Sequence, residues 1–134
     1  MKRILAMVLA LCLCIGLCAC GMSMDKLKDN LGSSYKKVRL DDEDLEAYAD
    51  LLGLDVDDYD IESAIQATHK KKGIGVVIIE CGSKKEAEEL ADDGEGMVDY
   101  LSDYYGTNYS FDMVVKGKFI LCGEERAIKA ALEK

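Results

Sequence analysis

Five acidic side chains in a short segment are the first candidates for binding chemistry. Asp55, Asp57, Asp58, Asp60 and Glu62 have roughly the spacing of a calcium-binding loop, and the four aspartates are the candidate ligands. Calcium takes about six to eight oxygen ligands around one point, supplied by a loop that turns sharply. The glycine that makes this turn is missing here, and the last of these residues fit a strand. We therefore favour helix capping and solvation for these carboxylates, and we predict neither a metal site nor a cofactor.

His69 is the only histidine of the chain and would be the first choice as a general base. It precedes Lys70, Lys71 and Lys72 in a predicted turn. A catalytic base or a metal ligand needs acidic or histidine partners that converge on it, whereas three cations repel a metal. We predict an exposed turn residue in a small basic spot, which could serve as a docking point. Because the chain also lacks a catalytic triad, a phosphate loop and an HExxH motif, we predict that it is not an enzyme.

The N-terminal segment has the three zones of an export signal. Lys2 and Arg3 are followed by an apolar run over residues 4–15, and small residues close the segment at Cys20. A basic start, a short apolar run and a small-residue cleavage site indicate a signal peptide. A stable membrane span needs about 20 apolar residues, which is more than this segment supplies. Residues 1–19 are therefore predicted to be removed on export.

The residues around Cys20 resemble the lipobox of bacterial lipoproteins. Leu17 lies three residues before Cys20, and the small residue Ala19 lies directly before it. The resemblance implies diacylglyceryl transfer to the Cys20 sulfur, cleavage after Ala19, and fatty acyl chains such as palmitate as the anchor. The protein would then stand on the extracytoplasmic face of the cell membrane. An ordinary secreted protein and an uncleaved anchor are the alternatives.

The charge of the remaining chain excludes some partners. Residues 1–19 hold two of the 17 basic residues and none of the 26 acidic residues, so the mature chain would have a net charge of −11. Such a charge repels nucleic acid and anionic lipid headgroups. Cysteine usage excludes a disulfide scaffold, because only Cys81 and Cys122 lie beyond Cys20. We predict that both are small buried residues without a bridge.

Hydrophobic periodicity predicts an α+β domain over residues 41–134, preceded by a lipid-anchored tether over residues 20–40 that can hold a short helix. Leu45, Tyr48, Ala49 and Leu52 recur at helical spacing, and Gly53 can end that helix. The further elements are a hairpin of two strands (59–68 and 74–81), a helix (83–105), a second hairpin (109–115 and 118–122) and a last helix (124–134). Gly94 and Gly96 are expected to break the long helix.

The expected fold is an N-terminal helix followed by the order ββαββα. A four-stranded antiparallel sheet with the helices packed on one face would bury the apolar stripes. The two halves look alike, since Cys81-Gly82 and Cys122-Gly123 each end a strand that leads into a helix. This similarity is explained either by an internal repeat or by chance, and the sequence does not decide between the two.

From Leu45 onwards the chain resembles a domain-of-unknown-function family of small lipoproteins found mainly in Firmicutes. The resembling segments are 52–55, 61–64, 76–80 and 115–120. The resemblance implies surface anchoring and an α+β fold, and it supplies no catalytic residue. Together these observations predict a lipid-anchored, non-enzymatic interaction or binding module of the envelope, with an envelope protein as a candidate partner. The alternative is a surface protein that binds a small ligand or a cation, using the acidic loops or a groove beside the sheet.

Overall fold

The computed structural model describes residues 22–106 and 108–133. These residues form five α-helices and five β-strands, in the order α1 (Met24–Leu31), β1 (Tyr35–Arg39), α2 (Asp42–Leu52), β2 (Ile61–His69), β3 (Gly75–Cys81), α3 (Lys84–Asp93), α4 (Gly96–Tyr105), β4 (Phe111–Lys116), β5 (Phe119–Glu124) and α5 (Glu125–Leu132). The predicted α+β class is confirmed. Across the same residues, no helix has the length and apolar character needed to span a bilayer.

The strands form one antiparallel sheet in the order β1-β2-β3-β5-β4. The sheet therefore has five strands, and the prediction of four is wrong. The additional strand is β1, which among the described residues pairs with β2 alone, from Tyr35 opposite His69 to Arg39 opposite Ile65. Its sequence is polar and basic, as is common in an edge strand that must not pair with other chains. Because β1 lacks alternating apolar residues, the sequence pattern did not predict this strand.

Residues 24–40, predicted as part of a tether, belong to the packed domain. The short helix allowed for in that segment is α1, and its Leu27 and Leu31 are only 1% and 4% exposed. The Asn30 side-chain amide donates to the backbone oxygen of Ala131 at 2.7 Å, which joins α1 to α5. Before α1, the structure describes only Met22 and Ser23.

The helices cover both faces of the sheet, so the prediction of helices on one face is wrong. Val76 and Ile78 of the central strand β3 lie in a core with α1 and α5. Val77 and Ile79 point the opposite way, towards α2 and α3. Because side chains alternate along a strand, a nearly continuous apolar run such as that of β3 is required when both faces are covered.

The two similar halves place their helices on opposite faces. Ala87 of α3 packs with Cys81, whereas Ala127 of α5 packs in the other core with Leu121. A two-fold axis normal to the sheet would keep both helices on one face. A full structural repeat is therefore not present, although β3 and β5 are adjacent and antiparallel as that symmetry requires.

Candidate functional site

A cavity of about 350 Å³ lies between the sheet and the pair of helices α2 and α4. Its floor is the face of the sheet that carries Val77, Ile79 and Cys122. Small-molecule sites in proteins have volumes from roughly 300 Å³ upwards and are mostly apolar, with a few polar groups. The size and lining of this cavity match that description.

The cavity exists because the helices on this face do not press onto the centre of the sheet. Helix α4 has no fully buried residue, and its Met97 and Leu101 line the cavity half-buried. Val77 is also only half-buried, although it lies in the central strand. Apolar side chains therefore face each other across a gap, whereas in most protein interiors such side chains are in close contact.

Two glycines bring the helices together at one end of this gap. Gly94 ends α3 and Gly96 begins α4, and a Cβ atom on either would lie 3.6–3.7 Å from the side chain of Leu52 in α2. The predicted break at these glycines is confirmed. It lets α4 turn away from the axis of α3, so that Leu90 of α3 and Met97 of α4 line the same cavity.

A hydrogen bond inside the cavity supplies its polar character. The Tyr48 hydroxyl donates to the side-chain oxygen of Gln66 at 2.9 Å, and both residues line the cavity. Burial raises the pKa of Tyr48, with smaller contributions from Asp44, Tyr105 and Cys122. The phenol therefore stays protonated at neutral pH and can act as a donor or an acceptor to a bound molecule.

Exposed aromatic residues surround the opening of the cavity. Leu51, Tyr100, Tyr104 and Tyr105 are all exposed, Tyr104 by 72%, and all four line the cavity. The rings contact each other: Tyr100 and Tyr104 stack with centroids 6.2 Å apart, and Tyr105 meets Phe111 at 5.5 Å. We call the three tyrosines Tyr100, Tyr104 and Tyr105, together with Leu51, the aromatic rim. Exposed apolar side chains that cluster in this way mark interaction sites more often than scattered ones do.

The two cysteines are free and buried. Cys122 lies opposite Val77 on the neighbouring strand, and Cys81 lies four residues further along β3. Strands rise about 3.4 Å per residue, so the Cα atoms are too far apart for a disulfide. Burial raises the pKa of both thiols to about 11. The prediction of two small buried residues without a bridge is confirmed.

The structure does not assemble the acidic candidates into a site. The Asp55 carboxylate accepts from the Asp57 amide at 3.0 Å, which is a capping contact. The backbone N–H of Asp60 donates to Glu86 at 3.2 Å, and Asp58 lies in a short 3-10 turn. Within residues 22–106 and 108–133, no three histidine, cysteine or acidic side chains converge as a metal site requires.

His69 has a structural role at the start of the β2–β3 turn. Its Nδ1 atom accepts from the backbone N–H groups of Lys71 and Lys72, each at 3.2 Å. Its ring also meets Tyr35 edge-on, with centroids 5.1 Å apart. The half-buried imidazole therefore holds the turn against β1, whereas the sequence predicted an exposed turn residue.

The predicted lipidation and cleavage residues Leu17, Ala19 and Cys20 lie outside the described residues. The chain matches no family model, and no curated protein and no solved structure was found to be similar to it. The sequence analysis named a groove beside the sheet as an alternative ligand site, but it did not identify the residues that line this cavity. Gly94, Gly96 and the tyrosines that follow them were visible in the sequence, but only the fold shows that they surround the same space.

Proposed function

We propose that this protein is a lipid-anchored binding protein of the extracytoplasmic membrane face, and that its cavity holds a small apolar ligand. The observation that carries the binding function is the apolar space of about 350 Å³ with one internal hydrogen-bonding pair, Tyr48 and Gln66. Those two groups would orient the polar end of a ligand whose apolar part contacts Val77, Met97 and Leu101. The proposed activity is binding rather than catalysis.

A fluorescence titration with the neutral apolar dye N-phenyl-1-naphthylamine tests this function. We expect saturable binding to the full chain, and loss of it in Val77→Trp, because the indole would fill the cavity. Val38→Trp is the matched control: Val38 is an exposed valine on edge strand β1 and does not line the cavity. Equal binding by both variants, or none by the unchanged chain, would count against a ligand cavity.

The proposed anchor depends on the Cys20 sulfur. In Cys20→Ser we expect cleavage after Ala19 to stop, since lipid transfer to the sulfur precedes it in lipoproteins of this type. Cys18→Ser, two residues earlier, should mature and stay with the membrane normally. Mass spectrometry of the N-terminus with membrane fractionation measures both effects. Maturation of Cys20→Ser at the same bond, with retention in the membrane, would reject the anchor.

A protein partner in the envelope is a second candidate, favoured by the aromatic rim. Tyrosine is enriched in the cores of protein interfaces, where its ring is apolar and its hydroxyl can bind. Crosslinking in intact cells should recover one discrete partner, and Tyr104→Ser should reduce its yield. Glu88→Ser on α3 is an exposed control outside the cavity lining. An equal yield from both variants would favour a small ligand alone.

A further inference from the structure

Six of the 17 basic residues lie along one edge of this acidic protein. They are Lys36, Lys37 and Arg39 of β1, and Lys70, Lys71 and Lys72 of the β2–β3 turn. We call this set the basic edge. The segments that carry it, residues 31–40 and 63–79, contain no acidic residue. The 26 acidic residues therefore all lie outside these two segments.

The fold holds the two halves of the basic edge together. Tyr35 pairs with His69 across the strands, and the Lys70 N–H donates to the Ser34 oxygen at 2.9 Å. The bonds from Lys71 and Lys72 to the His69 ring fix the turn itself. The lysines of the turn are thus attached to the start of β1 by backbone bonds and by the Tyr35–His69 ring contact.

These cations are not neutralised by neighbouring side chains. The ion pairs found among the described residues involve Lys118 and Arg126, and neither belongs to the basic edge. Glu124, which lies near Tyr35, is buried and pairs with Arg126 at 3.2 Å. All six side chains except that of half-buried Lys37 are exposed. Protection of an edge strand explains lysines on β1, but it does not require three more in the turn.

The start of the domain lies close to the proposed lipid. Only residues 21–23 separate Cys20 from α1, and three extended residues span about 10 Å. Helix α1 has eight residues, or about 12 Å, and the short turn after it leads directly into β1. A protein held this close to a bilayer must turn some part of its surface towards the headgroups, and anionic headgroups repel its acidic surface.

We propose that the basic edge docks on the anionic phosphate headgroups of the bilayer and so sets the orientation of the protein. This inference rests on the proposed lipid anchor at Cys20. The anchor supplies the attachment, and the basic edge selects which side faces the membrane. Docking would place Gly73 and Ile74, which follow the lysines and line the cavity, next to the bilayer surface.

Fluorescence quenching on vesicles tests the orientation. The full lipidated chain is reconstituted into vesicles of phosphatidylcholine, with or without phosphatidylglycerol, that carry a quencher on the headgroup. A dye is placed at Ser34→Cys, an exposed position whose backbone oxygen accepts from the Lys70 N–H, so that no basic residue is removed; the control position is Lys84→Cys on α3. Cys81 and Cys122 are buried. Anionic lipid should increase quenching at position 34 at least about threefold more than at position 84, and high salt should remove the difference.

A charge-reversal pair supplies the matched control. Lys70→Glu with Lys72→Glu should abolish the lipid-dependent quenching at position 34, whereas Lys85→Glu with Lys116→Glu, an equal change of charge elsewhere, should not. Equal quenching at both label positions, or equal effects of the two reversals, would overturn the docking. The docking would also be overturned if anionic lipid left the quenching at position 34 unchanged while a soluble polyphosphate bound the chain. Chain absent from every vesicle would overturn the anchor and the docking together, whereas retention without lipid-dependent quenching overturns the docking alone.

Discussion

At the residue scale, the Tyr48 hydroxyl can be removed without changing the shape of the cavity. Tyr48→Phe deletes its bond to Gln66 and leaves the amide oxygen without that donor. We expect a loss of about 1 kcal/mol in the free energy of unfolding, measured by chemical denaturation. Tyr104→Phe should change it by less than about 0.5 kcal/mol, because that ring is exposed. A similar loss in both variants would show that the Tyr48–Gln66 bond contributes nothing of its own.

The two buried thiols give the protein a predicted sensitivity to alkaline pH. Their pKa is about 11 in the folded protein, against an ordinary value near 9, so the folded state keeps protons that the unfolded state releases. These thiols should therefore leave the free energy of unfolding unchanged below about pH 9 and should lower it as the pH rises from 9 towards 11.

Urea unfolding at a series of pH values measures this effect. In the double variant Cys81→Ala with Cys122→Ala, the decrease between pH 9 and 11 should be smaller, although the burial of Tyr48 leaves some of it. An identical decrease in the variant would mean that the thiols are not its source. Native thiol labelling should likewise stay slow until the pH approaches 11.

At the scale of elements, the packing of α1 determines whether the domain begins at residue 24 or at residue 41. Leu27 is buried against α5 and the sheet, so Leu27→Ala should lower the free energy of unfolding by about 2–5 kcal/mol. Leu51→Ala is the control, since Leu51 is 52% exposed, and it should cost less than about 0.5 kcal/mol. A small effect of both changes would mean that α1 is a tether after all.

Gly75 lies in a close backbone contact that leaves no room for a side chain, whereas Gly96 has room for one. A Cβ atom on Gly75 in β3 would lie 1.7 Å from the backbone oxygen of Ala67, so Gly75→Ala must displace β2 or β3. We expect it to cost more than about 3 kcal/mol or to prevent folding. Gly96→Ala meets only Leu52 at 3.7 Å and should stabilise α4 by up to about 1 kcal/mol. Thermal unfolding of the two variants compares them, and similar stabilities would contradict the tight β2–β3 contact.

At the scale of the whole molecule, a ligand that enters the cavity must stabilise the fold. Binding to the folded state alone adds about 2.7 kcal/mol at a ligand concentration one hundred times the dissociation constant. The melting temperature of the full chain should thus rise with the concentration of the apolar dye, and that of Val77→Trp should stay constant. A rise of equal size in both proteins would place the binding outside the cavity.

Local sequence signals determined much of this fold. The strands at β3 and β5 and the helix over residues 42–52 follow from apolar periodicity and from the left-handed Gly53 that ends the helix. The start of a helix at Ser83 was also predicted, and the Ser83 side-chain oxygen accepts from the Glu86 amide at 3.2 Å. The Glu86 carboxylate binds the Asp60 N–H, a partner that is distant in sequence. Each of these features, except the hydrogen bond between Glu86 and Asp60, depends on residues that are close together in sequence.

The tertiary structure decided the features that depend on distant pairs. Strand β1 has no apolar alternation of its own and exists because β2 offers a free edge. After β3 the chain turns to one face of the sheet and forms α3, whereas after β5 it turns to the other face and forms α5. The similar sequences at the ends of these two strands therefore do not determine which face the next helix covers. The cavity is a further case: Val77, Met97 and Tyr48 are ordinary core residues by type. Only the spacing of α2 and α4 above the sheet leaves room between them, because packing is a property of the assembled elements and not of any one of them.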